Sequence, residues 1–460
     1  MTYLTTHSRG PLFVLTLCAL VACGSDDEMC DPSAPDACEG AQICAALPSG
    51  ASMCVDDFLL QGIISDALTG APIEGARIIA RDANGAPRSE VARSAADGSY
   101  SLPVAVERTE GGIPTNESGT TALRVDASGY QAFPTAPRVA LPIDLASRTL
   151  QEGEGYVVRD ATTDVALIPL ETGGETIAGR VDHPSPGGIL VVGSQGGTAV
   201  STSVTDQNGD FLLFNVPSGT TGLTGYHAGI SVVPQDVNAP ADGIVLATEA
   251  GALATVSGSI SIVNAPGGVE TSVILVPAET FDATAIRGEA VNGLRAAPVT
   301  GSFQIESVPP GRYAVLAAFE NDLLVRDPDE GISGTEIVFV DVASADITID
   351  ISFKVTEALV VVSPGAEGLE TISASPTLTW ADDSSEDGYE LRVYNAFGDL
   401  VFEDLDVPRV TGEDNVEYPL EQSLEPGMVY QFRAYSWRER GGGRTYISST
   451  EDLLGVFMFE

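Results

Sequence analysis

From Phe58 onward the apolar residues fall in short runs rich in Val, Ile, Leu and Thr, broken by Gly, Pro, Asp and Asn, and no segment holds a helical period for three turns. That pattern predicts an all-β chain of short strands and tight turns. Three stretches open alike, with Gly62-Ile63-Ile64-Ser65-Asp66, Gly179-Arg180-Val181-Asp182 and Gly258-Ser259-Ile260-Ser261. Each leads later to a glycine turn followed by an aromatic: Asp97-Gly98-Ser99-Tyr100, Asn208-Gly209-Asp210-Phe211 and Thr300-Gly301-Ser302-Phe303. The last two share a longer register, G-x-F-x4-V-P-x-G, as Gly209/Phe211/Val216/Pro217/Gly219 and Gly301/Phe303/Val308/Pro309/Gly311. Glycine takes positive φ in a tight hairpin turn, and the aromatic two places later points inward from the returning strand. Proline cannot continue a ladder, so V-P-x-G should end that strand.

The first stretch, with Thr69-Gly70-Ala71-Pro72-Ile73-Glu74-Gly75-Ala76 and Ser128-Gly129-Tyr130 beside the residues above, resembles the carboxypeptidase regulatory-like domain. The resemblance implies a small transthyretin-like β-sandwich, an accessory module without catalytic residues of its own. It covers 58–172 best and extends to a second repeat over 173–250 and a third over 251–358. The final segment, 359–460, reads differently. Pro376-Thr377-Leu378-Thr379-Trp380, Tyr389-Glu390-Leu391-Arg392-Val393-Tyr394 and Leu424 to Tyr435 resemble a fibronectin type III domain, which implies Trp380 as a core residue and Tyr430 as a tyrosine corner bonded back to the chain. The expected fold class is therefore tandem β-sandwiches.

The amino terminus carries a different signal. Met1 to Gly10, mildly basic through Arg9, precedes the apolar run Leu12 to Ala22. That run is far shorter than the about 20 residues needed to cross a bilayer, and it suits an export signal. Leu20-Val21-Ala22-Cys23 resembles the lipobox of bacterial lipoproteins, which implies cleavage after Ala22 and a lipid on Cys23 that anchors the chain in a membrane. By the same resemblance Gly24, where an aspartate would favour inner-membrane retention, points to the outer membrane or cell surface. Residues 1–22 are thus read as the signal and 23–57 as a tether and cysteine-rich module. Cys30, Cys38, Cys44 and Cys54 lack the C-x2-C pairs of a zinc ribbon, and export favours two disulfides with three pairings open.

Charge and counting narrow the function. Acidic residues number 65 against 22 basic ones, a net charge of -43 that excludes nucleic acid as a partner. Of three histidines, His7 lies in the signal, and His183 and His227 have no second histidine at the spacing of a zinc peptidase. Val192-Gly193-Ser194-Gln195-Gly196 lacks the first glycine of a nucleophile elbow. The single lysine, Lys354, follows Phe353, so no phosphate-binding loop exists, and one lysine cannot supply an isopeptide lock to three repeats. No catalytic residue and no cofactor are expected. Two acidic loops, Asp206-Gln207-Asn208-Gly209-Asp210 and the cluster Asp382, Asp383, Glu386 and Asp387, invite a calcium reading. The first lacks the glutamate that closes such a loop and reads better as a hairpin turn.

Together these readings predict a lipid-anchored, non-catalytic rod. Four sandwiches stacked end to end would reach roughly 100–130 Å. The distal fibronectin-like domain is expected to bind an envelope or extracellular protein or glycan, and deleting it should leave the remainder folded. The alternatives are a passive envelope spacer or scaffold and an extracytoplasmic hydrolase, either as its accessory part or as an unrecognised hydrolase itself.

Overall fold

The computed structural model describes residues 30–460 apart from 32–36, 39, 41, 116–120, 252, 264–267, 284, 319–321, 328, 330–332 and 413–414. The export signal and Cys23 lie outside the described residues. The chain is all-β, built as tandem β-sandwiches after a small disulfide-bonded hairpin. Alternation makes the strands. In Phe58–Asp66 the side chains of Phe58, Leu60 and Ile64 are buried and those between them are not, so one face meets a core.

The first three sandwiches share one wiring. An opening strand (Phe58–Asp66, Glu175–Asp182, Ala254–Val263) pairs antiparallel with a returning strand (Ser99–Pro103, Asp210–Val216, Ser302–Val308). On its other side the opening strand pairs parallel with the closing strand. That closing strand is Gly155–Val158 continued by Val165–Leu167 in the first sandwich, Ala241–Glu249 in the second and Ile347–Glu357 in the third. The second face holds Arg77–Arg81 against Ala122–Asp126, Leu190–Gln195 against Gly219–His227, and Thr271–Pro277 against Gly311–Ala317. The two later returning strands end at Val216 and Val308, directly before Pro217 and Pro309.

The last sandwich sets a three-stranded sheet, with Thr377–Ala381 at its centre, over a sheet built on Gly388–Asn395 and Val429–Arg440. Its core packs Trp380 with Tyr389 and Phe432, the ring centroids 5.6 and 6.2 Å apart.

The expected end-to-end stacking is corrected. The core of the third sandwich runs on into Ile79 of the first and Leu190, Val192, Val204 and Tyr226 of the second. Ala86 of the first also packs with Ile274, Val276 and Ala290 of the third. Leu141 of the first packs with Tyr394, Ala396, Val429 and Val456 of the fourth. The first sandwich therefore meets all three others. Folding back buries the apolar strips on the outer faces of neighbouring sandwiches.

Candidate functional site: turn nodes and interdomain joints

The motif residues converge on structural nodes. Asp66 Oδ1 accepts the N–H groups of Leu68 and Thr69, both at 2.8 Å, and Tyr130 Oη donates to Asp66 Oδ2 at 3.1 Å. These bonds, that from Thr69 foremost, hold the Asp66 carboxyl below its ordinary range. In the three sandwiches the shared glycine lies directly across from the shared aromatic: Gly62 opposite Tyr100, Gly179 opposite Phe211, Gly258 opposite Phe303. The ring covers the bare glycine, and a Cβ on Gly179 or Gly258 would stand 2.7 Å from Cζ of its phenylalanine. One expectation fails. Gly98 and Gly209 have φ of 79° and 84°, but Gly301 is not in the left-handed region, and a Cβ there would meet nothing within 4 Å. The positive φ falls elsewhere, at Asn215 and Ser307, each 58° and each directly before the shared Val-Pro. An asparagine and a serine at one register position were visible in the sequence, but only backbone geometry gives them meaning.

Those two residues make joints. Asn215 Oδ1 accepts the N–H of Gly129 at 2.7 Å, and its Nδ2 donates to the carbonyls of Tyr130 at 2.8 Å and Ala127 at 3.0 Å, tying the second sandwich to a turn of the first. Ser307 O accepts the N–H of Gly229 at 2.8 Å, tying the third sandwich to the corresponding turn of the second. Between the third and fourth, Ser448 Oγ donates to Glu357 O at 2.6 Å, and the buried Glu451 lies beside Asp322, whose Oδ1 accepts the N–H of Leu324 at 3.1 Å. The second and third sandwiches thus each grasp the turn that ends the same second-face strand of the one before.

Across these serial joints runs an ionic one. Glu289 of the third sandwich is paired with Arg81 and Arg124 of the first, and Thr202 of the second donates to its Oε1 at 3.2 Å. Arg124 is also paired with Asp126 at 2.7 Å. Burial alone would raise the Glu289 carboxyl, but the Arg124 and Arg81 guanidiniums beside it bring it down to about 2. Arg77 Nη2 donates to Val204 O at 2.7 Å. Arg138 of the first sandwich is paired with Asp399 of the fourth at 3.1 Å, and the N–H of Val139 donates to Gly398 O at 3.3 Å. The fourth sandwich is therefore not presented as a free tip. Removing it would uncover Leu141 and leave Arg138 without Asp399.

The other singled-out residues fall as follows. Cys30 is bonded to Cys44 and Cys38 to Cys54, closing separations of 14 and 16 residues, and Cys44 faces Cys54 across the hairpin. Among the described residues one group has metal-ligand spacing, the sulfurs of Cys30, Cys38 and Cys54, and these disulfides occupy it. In the first acidic loop Asp206 Oδ1 accepts the N–H groups of Asn208 and Asp210, closing a hairpin turn. In the second, Asp382 accepts from Tyr389 Oη at 2.7 Å, Asp383 from Ser436 Oγ at 2.8 Å and Asp387 from the N–H of Glu439 at 2.8 Å. Glu386 is buried beside them with Oε2 unpartnered, and burial pushes its carboxyl up. His183 and His227 bond within their own turns, and Ser194 lies inside the strand Leu190–Gln195. Lys354 is paired with Asp327 at 2.8 Å. The Tyr430 hydroxyl accepts the N–H of Glu425 at 2.8 Å. A cavity of about 10 Å³ lined by Val315, Leu316, Phe353 and Lys354 has room for about one water. No described helix is long and apolar enough to cross a membrane.

No family model matches the sequence, and no curated protein does. Solved structures similar to the chain include the TIE protein of Bacillus anthracis, at 10% identity over 84% of this chain and 68% of that one, with a TM-score of 0.16. The minor pilin GBS52 of Streptococcus agalactiae matches at 12% identity over 42% of this chain and 99% of its own, with a TM-score of 0.17. The major pilin subunit of Bacillus cereus matches at 12% over 65% of this chain and 100% of its own, also with a TM-score of 0.17. At such scores the likeness transfers nothing to this chain.

Proposed function

We propose that the protein is a lipid-anchored, non-catalytic protein of the bacterial cell envelope, held at the outer membrane or cell surface through Cys23, whose fused sandwiches serve adhesion or assembly. We read its first three sandwiches as carboxypeptidase regulatory-like and its last as fibronectin type III-like. The observation that carries the anchor is Leu20-Val21-Ala22-Cys23 directly after the apolar run. His183, His227, Lys354 and the aspartates of the two acidic loops are engaged in turns, side-chain bonds and an ion pair. Metabolic labelling with a fatty acid tests the anchor: the natural chain should take up label and Cys23→Ser should not, and equal label in both would refute it. The passive scaffold is a second reading, favoured by one observation, the packing of the fourth sandwich back onto the first. Capture from envelope extracts separates the two, since a scaffold returns no specific protein or glycan.

A further inference from the structure

We propose that the joint between the third and fourth sandwiches is a proton-operated latch, which Glu451 keeps closed as the neutral acid and loosens when it ionises. Glu451 lies in the connection between Gly443–Ser449 and Val456–Phe459 and is 2% exposed. Its Oε1 has no hydrogen-bond partner, and Asp322 of the third sandwich is its charged neighbour. A buried carboxyl oxygen without a donor is far costlier as part of an anion than as part of a neutral acid. Main-chain bonds flank the same contact within each sandwich, and one hydroxyl bond crosses it. The N–H of Ala358 donates to Leu323 O at 2.9 Å, that of Leu359 to Ser449 O at 2.8 Å, and Ser448 Oγ to Glu357 O at 2.6 Å.

The charges of the joint favour the neutral form. Asp322, on the loop that meets Glu451, repels its anion. The cations nearby are engaged by other carboxylates: Arg433 and Arg287 by Asp452, Lys354 by Asp327, and Arg440 by Asp329. Arg326 donates to the carbonyl of Thr335. Burial chiefly, and then Asp322, push Glu451 up to about 8.

The direction follows from linkage. In the opened joint the carboxyl returns to an ordinary value of about 4.3. Closure is therefore fully favoured below that pH and weakens as pH rises, by up to about tenfold per unit, until about 8, where the loss levels off.

Hydrogen exchange of the full chain tests the latch, followed on peptides covering 322–326 and compared with Glu451→Gln at matched pH so that intrinsic rates cancel. The exchange-rate ratio of natural protein to variant should climb by up to about tenfold per unit between about pH 5 and 8. A ratio constant with pH overturns the proposal. Should the glutamine variant not fold, Asp322→Asn serves, because removing the like charge must bring the upper end of the natural protein's rise to lower pH. An upper end that stays in place overturns the proposal as well.

Discussion

Glycine and aromatic act as one unit at the residue scale. An opening strand with a side chain at Gly179 would push against Phe211 and also against the carbonyl of Ile244, 2.5 Å from the added carbon, and backbone cannot step aside as a side-chain tip can. Gly179→Ala and Gly258→Ala should each cost about 1–3 kcal/mol, the range for overpacking a filled site. Gly301→Ala should stay within about 0.5 kcal/mol, as its backbone is ordinary and its surroundings are open. Urea midpoints of the three variants check this, and equal losses at all three would mean that the turn, not the ring contact, demands glycine. The sequence displayed both members of each pair but not that they face each other, because facing is a property of strand register and the loops between them differ in length.

At the level of elements, what was legible was what repeats. The opening and returning strands, the stop at Val-Pro and the wiring into sandwiches follow from alternation, glycine turns and proline, all local rules. The joints were not legible. Asn215 is a single polar residue among apolar ones, and its three bonds reach residues 85 to 88 positions away. Glu289 and Glu451 were two acids among 65. Asn215 serves the joint twice, by accepting a left-handed backbone that asparagine tolerates and by the bonds of its amide. Asn215→Gly keeps the first role and loses the second, whereas Asn215→Ala loses both. The glycine variant should lower stability by about 1–3 kcal/mol for the groups left unpaired, with the alanine variant lower still. Thermal unfolding distinguishes them: a glycine variant as stable as the natural chain would show that the amide bonds contribute nothing to the joint.

For the whole molecule, the outcome turns on whether four sandwiches behave as beads or as one body. Glu289 is the sharpest probe, because its carboxylate joins Arg81 and Arg124 of the first sandwich to the third, with Thr202 of the second beside it. Glu289→Gln would leave Arg81 without its anion and Arg124 with Asp126 alone, and breaking a buried pair costs up to about 3–5 kcal/mol. The cost should depend on pH in a definite sense. A carboxyl lowered to about 2 contributes stability that is present above its unfolded value near 4.3 and is lost as pH falls through about 2. The natural chain and Glu289→Gln should therefore differ most at neutral pH and converge as the solution is acidified towards pH 2. Acid thus undoes the ionic joint only below about pH 4.3, after it has tightened the one at Glu451 between about 8 and 4.3, so the two ends of the third sandwich respond oppositely and in successive ranges. Urea unfolding between pH 7 and 2 reads the first half of that statement directly. A gap between natural and variant midpoints that does not narrow would mean that Glu289 fills space between the sandwiches without binding them by charge.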